Sequence, residues 1–424
     1  MNQDSTPRSA WLLLGFLTLL NVMNFVDRQL ITSFGEPITV DLKLELWEFG
    51  ILTGLVFVLF YTLVGVFLGA LSDRWRRPRI IAMGLSLWSA LTAASGLAEN
   101  FWQMAAARVL VGVGEATLTP AAISMLGDVF RPRSRGLAIG IYYLGIPVGV
   151  GLSMILSGVL GPLLGGWREC FFLLGVLGLP LAIITWSIAD PPRGAMEASH
   201  VGERPTAVSA DVFRSPALIL TILGGVTILF AIGANFFDVI WLRREHGFSQ
   251  GQAGVFLGTT FLVGGVTGNV LGGWLGDWFH RRWSAGRLIF LACGQIVLCP
   301  IALSARLLPA DSFWFGVACV AGAVSMTFFY GALFATVQDL VPATVRSTII
   351  AVLIFSVNLL GIAPGSFLAG RLCDVLADYV DRPMSWGLFV IGNMGLLAVP
   401  LFFVAAWRFP IDRARLMNQT GVEG

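Results

Sequence analysis

The sequence predicts an all-α polytopic membrane protein with twelve transmembrane helices in two six-helix halves. Three observations predict it. Of the 424 residues, 56% are hydrophobic and 12% charged, about half the charge of a soluble domain, so polar surface is too scarce to face water all round. Apolar runs of about 20 residues, each able to cross a ~30 Å hydrocarbon core, recur along the whole chain. Three stretches of the first half also return, in order, in the second. NFVD (24–27) returns as NFFD (235–238), and GDVFRPRSR returns as QDLVPATVR, matching Asp128 and Arg135 to Asp339 and Arg346. GALSDRWRR (69–77) returns as GWLGDWFHRR (273–282). The first two matches are offset by 211 residues and the third, at its Asp, by 204, which implies a duplicated unit.

The run after the polar MNQDSTPRSA contains Asp27 and Arg28 and no small-residue cleavage site, so it is expected to remain as the first helix. Helices are expected at 10–35, 48–72, 79–98, 101–126, 136–160 and 169–189. The second six are expected at 216–241, 250–275, 287–307, 312–338, 344–371 and 385–407. Residues 190–215, rich in Pro, Ser and charge, read as a cytoplasmic linker between halves at 1–189 and 216–408. Residues 409–424 read as a cytoplasmic tail. With both termini inside, 18 of the 27 Lys and Arg fall on cytoplasmic segments, seven on outer ones and two within helices, as the positive-inside bias requires.

Other chemistry is sparse. Five cysteines show no paired metal spacing, and the three histidines (200, 246, 280) fall in expected loops. No metal or other cofactor is expected, and a net charge of +2 gives no reason to expect a nucleic-acid partner. Lys43 is the sole lysine and lies in an outer loop. A phosphate-binding G-x-x-x-x-G-K-[ST] loop is therefore ruled out. No G-x-S-x-G accompanies a buried histidine, which argues against an intramembrane enzyme.

The informative residues are charges placed where charges are costly. An ionisable group at the centre of a transmembrane helix costs at least ~2.5–3.5 kcal/mol on insertion scales, so it must face a partner or a cavity. Asp27 lies about 24 Å along its helix from Trp11, at ~1.5 Å per residue. In ARVLVGVGEAT, Arg108 and Glu115 stand seven residues apart, on one helix face. Gly112 and Gly114 keep that face narrow.

GALSDRWRRPR resembles the loop pattern G-x-L-a-D-R-x-G-R-R between helices 2 and 3 of the major facilitators, with Arg76 where that pattern has Gly. Parallel six-helix repeats with a midplane site at their interface belong to the same fold. The resemblance implies that Asp73 meets the N-terminus of helix 11. It further implies that Arg74 or Arg77 pairs with Asp128, latching the cytoplasmic side. It places helices 1 and 4 on the central cavity, where Asp27, Arg28, Arg108 and Glu115 would form a cluster of zero formal charge. Protonating either carboxylate would then free an arginine for an anionic substrate. Burial and a neighbouring arginine act oppositely on a carboxylate, so which acid titrates stays open. GVLGPLLGG (158–166) is similar to the antiporter motif of that superfamily, its first Gly one residue closer.

NFVDRQ, LSDRWRR and RVLVGVGEAT together look like a bacterial Spinster-type major facilitator. That resemblance implies secondary transport of an amphipathic, anionic, lipid-like substrate such as a lysophospholipid or sphingosine-1-phosphate, driven by a proton gradient through Asp27 and Glu115. The head would meet Arg28 or Arg108, and aromatics such as Tyr61, Tyr142 and Tyr330 would line the path. The partners expected are the inner-membrane bilayer, the substrate and protons, with the chain a monomer. An organic-anion:proton symporter or a drug-type proton antiporter of the same fold is the alternative.

Overall fold

The computed structural model describes residues 8–72, 74–193, 214–341 and 345–418. Their regular structure is helical. Six long helices precede the 194–213 segment: α1 (Ser9–Ser33), α2 (Leu46–Gly65, continuing helical to Ser72), α3 (Arg77–Ser95), α4 (Phe101–Val129), α5 (Ser134–Leu164) and α6 (Trp167–Ser187). Six follow it: α7 (Pro216–His246), α8 (Gln250–Arg282), α9 (Gly286–Ser304), α10 (Phe313–Leu340), α11 (Thr348–Leu376) and α12 (Pro383–Arg415). Eleven are long and apolar enough to cross a membrane. The twelfth, α3, begins with RPR, which lowers its apolar content. This is a multi-pass membrane protein.

Several helices run further than their apolar runs suggest. α8 reaches Arg282, so His280 is helical, and α7 reaches His246. α12 runs beyond residue 408, its helix reaching Asn418 through part of the expected tail. Charge ends a hydropathy signal without ending a helix, because Arg, Leu and Met are good helix formers. Most of the expected linker, and Asp73, lie outside the described residues.

The chain forms two compact units. The first comprises Met1–Leu44, Val56–His200 and Phe248–Thr259, and the second Glu45–Leu55, Val201–Gly247 and Thr260–Gly424. In the first, α1 packs on α5 through polar glue suited to a lipid surrounding. Ser153 Oγ donates to the Val26 carbonyl at 2.9 Å, and from the start of α8 Gln250 Nε2 donates to the Ser33 carbonyl of α1 at 2.7 Å. The GVLGPLLGG stretch meets the start of α8 at backbone distance. A Cβ added at Gly254 would lie 2.4 Å from the Met154 carbonyl oxygen. Gly254→Val is therefore expected to lower stability by about 1–3 kcal/mol through overpacking, read as thermal unfolding in detergent. In the second unit, Leu218, Leu229, Leu288, Phe329, Leu333 and Phe402 are buried in one apolar core.

Charges read from sequence as loop residues prove to be helix caps. The first N–H groups of a helix lack internal partners and carry partial positive charge. Asp374 accepts from the Leu46 and Trp47 N–H groups (3.1 and 2.9 Å), and Glu245 from those of Met384 and Ser385 (2.6 and 3.0 Å). Asp412, buried, accepts from Ala217 N–H at 2.7 Å.

Candidate functional site

The site is built on α1 and α4 of the first unit. α1 is uninterrupted from Arg8 to Ser33 and carries Asn24, Asp27 and Arg28. α4 is capped by Asn100, whose side chain accepts from Gln103 N–H at 3.0 Å. Its first segment ends at Glu115, where Thr117 Oγ1 donates to the Gly114 carbonyl at 2.8 Å and a second helical segment begins at Leu118. Glu115 thus sits at an interruption of its helix. Gly112 admits α2 against this face: a Cβ there would lie 3.1 Å from the Phe57 carbonyl oxygen.

The four charges anticipated from sequence are all in this interior, with unequal partners. Arg28 Nε donates to Glu115 Oε2 at 2.9 Å, and Nη2 lies 2.9 Å from the same oxygen. The guanidinium carbon sits 4.7, 4.6 and 4.5 Å from the ring centroids of Phe25, Phe57 and Tyr61. Phe57 and Tyr61 stack on each other at 5.6 Å. Arg108 stands over Phe57 at 4.8 Å and makes one long bond, Nη2 to the Arg28 carbonyl at 3.4 Å. Asp27, Arg108 and Glu115 are all buried, and neither Asp27 oxygen meets a donor at hydrogen-bonding geometry. Trp88 N–H, Arg108 and Glu115 act on the Asp27 carboxyl through space.

This asymmetry decides what the site can do. The side chain of Arg28 is 21% exposed and that of Glu115 is 0%. Arg28 is therefore the partly exposed member of the pair, and Glu115 the enclosed one. Arg28→Lys keeps the charge but loses the planar fork and its stacking. A loss of ~1–2 kcal/mol of stability is expected, measured by thermal unfolding in detergent.

The tyrosines separate. Tyr61 forms one wall of the Arg28 box. Tyr142 is fully buried, its hydroxyl 3.3 Å from Thr119 Oγ1 and its carbonyl accepting from Asn21 at 2.8 Å, which suits a packing role better than a path wall. Tyr330 belongs to the second unit, stacked on Phe329 at 4.3 Å.

Of the expected latch residues, Arg77 and Asp128 come together in an ion pair and Arg74 is exposed. Arg77, 1% exposed, also donates from Nε to Asp190 at 2.9 Å, from Nη1 to Ser124 at 2.9 Å and from Nη2 to the Pro191 carbonyl at 2.6 Å. The second unit repeats the arrangement: Arg287 pairs with Asp339 and, at 2.7 Å, with Asp277. Sequence reading missed Asp190 and Arg287, although Arg287 lies 210 residues from Arg77, within one residue of the offset that relates Asp128 to Asp339.

The family profile described as Major Facilitator Superfamily matches residues 17–362. An MFS-type efflux pump of Mycolicibacterium smegmatis is 27% identical over 96% of this chain and 95% of its own. A sphingosine-1-phosphate transporter of Xenopus tropicalis is 24% identical over 92% of this chain and 81% of its own. Among solved structures, a bacterial homologue of the human lysosomal transporter Spinster, in an inward-facing, unoccupied conformation, superposes with a TM-score of 0.84. It is 26% identical and covers 97% of this chain and 99% of its own.

Proposed function

We propose a function for this chain on the premise that it belongs to the Major Facilitator Superfamily, as a Spinster-type member, and is a transporter. Its substrate is an amphipathic anion with a lipid-like tail, moved by alternating access and coupled to protons. It works as a monomer in the inner membrane with both termini cytoplasmic. The observation that carries this reading is the Arg28 box: a buried-to-boundary guanidinium faced by three aromatic rings and held by one protonatable carboxylate.

The chemistry follows from competition. An anionic head seeks the Arg28 guanidinium, and Phe57 and Tyr61 offer apolar surface beside it. With Glu115 ionised, the cation is neutralised from within. With Glu115 protonated, the cluster carries net positive charge and an anion can replace the lost one. Asp27, whose oxygens meet no donor at hydrogen-bonding geometry, is the second place where a proton changes the charge balance. The likeness to a sphingosine-1-phosphate transporter supports the substrate class.

The test is uptake of radiolabelled sphingosine-1-phosphate into proteoliposomes under an imposed pH gradient, with gluconate as a hydrophilic organic acid beside it. Saturable, gradient-dependent uptake of the lipid alone supports the reading. Gluconate accumulation without lipid uptake overturns the substrate class in favour of an organic-anion:proton symporter.

A further inference from the structure

A second buried ion pair lies in the other unit, in residues that the Arg28 site does not use. Asp238 stands at the repeat position of Asp27 and is followed by Val239, not arginine. Its arginine comes from elsewhere in the chain. Arg306, just past α9, is one of the seven basic residues that the orientation assigns to outer segments, at the end of the expected ninth helix, yet it is 7% exposed. Its Nη2 lies 2.5 Å from Asp238 Oδ1 and 3.3 Å from Asn235 Oδ1, and its guanidinium carbon stands 4.3 Å over the Trp241 ring.

The pair sits where α7 loses its α-helical pattern. Residues Gly233–Phe237 form a 3₁₀ segment, and α-helix resumes at Asp238. Hydrogen-bond geometry is poorer in 3₁₀ segments, and a mid-helix stretch of this kind marks a place where a helix bends. The segment touches two other helices with irregular turns. Phe237 packs on Phe49 at 5.6 Å, next to the π-turn Ile51–Leu55 of α2. A Cβ at Gly233 would lie 2.4 Å from Ser366 N of α11, which has its own π-turn at Val357–Ile362.

The piece of α7 beyond the interruption, Asp238–His246, is fastened unequally. At its far end Glu245 caps α12, and Ser385 Oγ bridges Glu245 (2.5 Å) and Trp241 Nε1 (2.8 Å). At its near end the polar fastening is the Arg306 pair. That pair is incompletely satisfied: Arg306 Nη1 is buried without a hydrogen-bond partner, and the Asp238 side chain is 20% exposed.

We infer that Asp238–Arg306 is an ionic latch across the interruption of α7, closed in this structure and opened during the transport cycle. Arg306 is a positioning residue: it fixes the near end of the Asp238–His246 segment against α9. The inference rests on the protein being a transporter and not on its substrate being a lipid.

The experiment uses full-length protein bearing Asp238→Asn, Arg306→Gln, the charge reversal Asp238→Arg with Arg306→Asp, or Asp238→Glu. Two readings are taken. The first is the rate of sphingosine-1-phosphate uptake in proteoliposomes. The second is the rate at which N-ethylmaleimide modifies Cys319, resolved by mass spectrometry. Cys319 lies within electrostatic reach of both latch residues, and the exposed Cys293 serves as the internal reference. Each single neutralisation is expected to cut the maximal uptake rate at least tenfold with KM within twofold, and to raise Cys319 labelling severalfold. Charge reversal and Asp238→Glu are expected to restore both. Neutralised variants (Asp238→Asn or Arg306→Gln) that transport and label like the unmodified protein overturn the latch. So does loss of transport with unchanged Cys319 labelling, or a reversal that recovers neither reading. If the unmodified protein moves no sphingosine-1-phosphate, the substrate class fails, and the labelling comparison alone decides the latch.

Discussion

Asp27→Asn is expected to abolish proton-coupled transport while leaving the protein at least as stable as the unmodified chain. The Asp27 carboxyl is buried and neither oxygen meets a donor at hydrogen-bonding geometry. Burying a carboxylate without a partner costs several kcal/mol. An amide of the same shape removes that cost, so a gain of ~0–3 kcal/mol is expected. Glu115→Gln should behave differently. It takes the counter-ion from Arg28, and removing one partner of a buried pair costs ~3–5 kcal/mol. Here the loss is expected near the lower bound, because Arg28 keeps three aromatic faces and is 21% exposed. Thermal unfolding in detergent beside coupled uptake separates the cases. Both variants lose coupling, and only Glu115→Gln loses stability.

Arg77→Ala is expected to be the most destabilising single change in the first unit. Its guanidinium is buried and bonds Asp128, Ser124, Asp190 and the Pro191 carbonyl. Removal takes a buried guanidinium away from two carboxylates whose side chains are 13% and 15% exposed, for a cost of ~3–5 kcal/mol. Arg77→Lys should recover only part, since an ammonium cannot reproduce the fork that reaches four groups. Arg287→Ala, in the repeated arrangement, should cost less. Arg287 is 15% exposed and its partner Asp277 57%, so water screens what is left. Membrane yield and unfolding temperature rank the three variants.

Much of this was legible in the sequence because membrane helices are set by length and apolarity, both local properties. The apolar runs located the helices, and the charges within them located Asp27, Arg28, Arg108 and Glu115. The choice of partner was not legible. Two carboxylates and two arginines on two helices allow several pairings, and only packing selects Arg28 with Glu115 and leaves Asp27 without an ion-pair partner at hydrogen-bonding distance. Arg306 read as an outer-segment cation because its burial depends on Asp238, 68 residues away. Asp190 read as linker because its pairing depends on Arg77, at the start of α3 and far away in sequence. The interruptions in α2, α7 and α11 left no signal either, since they answer to contacts such as Gly233 against Ser366 and not to local propensity.

The most direct measurement is proton flux, followed with an internal pH dye, when sphingosine-1-phosphate is presented to proteoliposomes holding the unmodified protein, Asp27→Asn or Glu115→Gln. The expected result is a substrate-dependent pH change in the unmodified protein that both variants lose. Substrate movement by the unmodified protein with no accompanying protons would contradict the account and make the buried charges a binding and gating cluster of a facilitator.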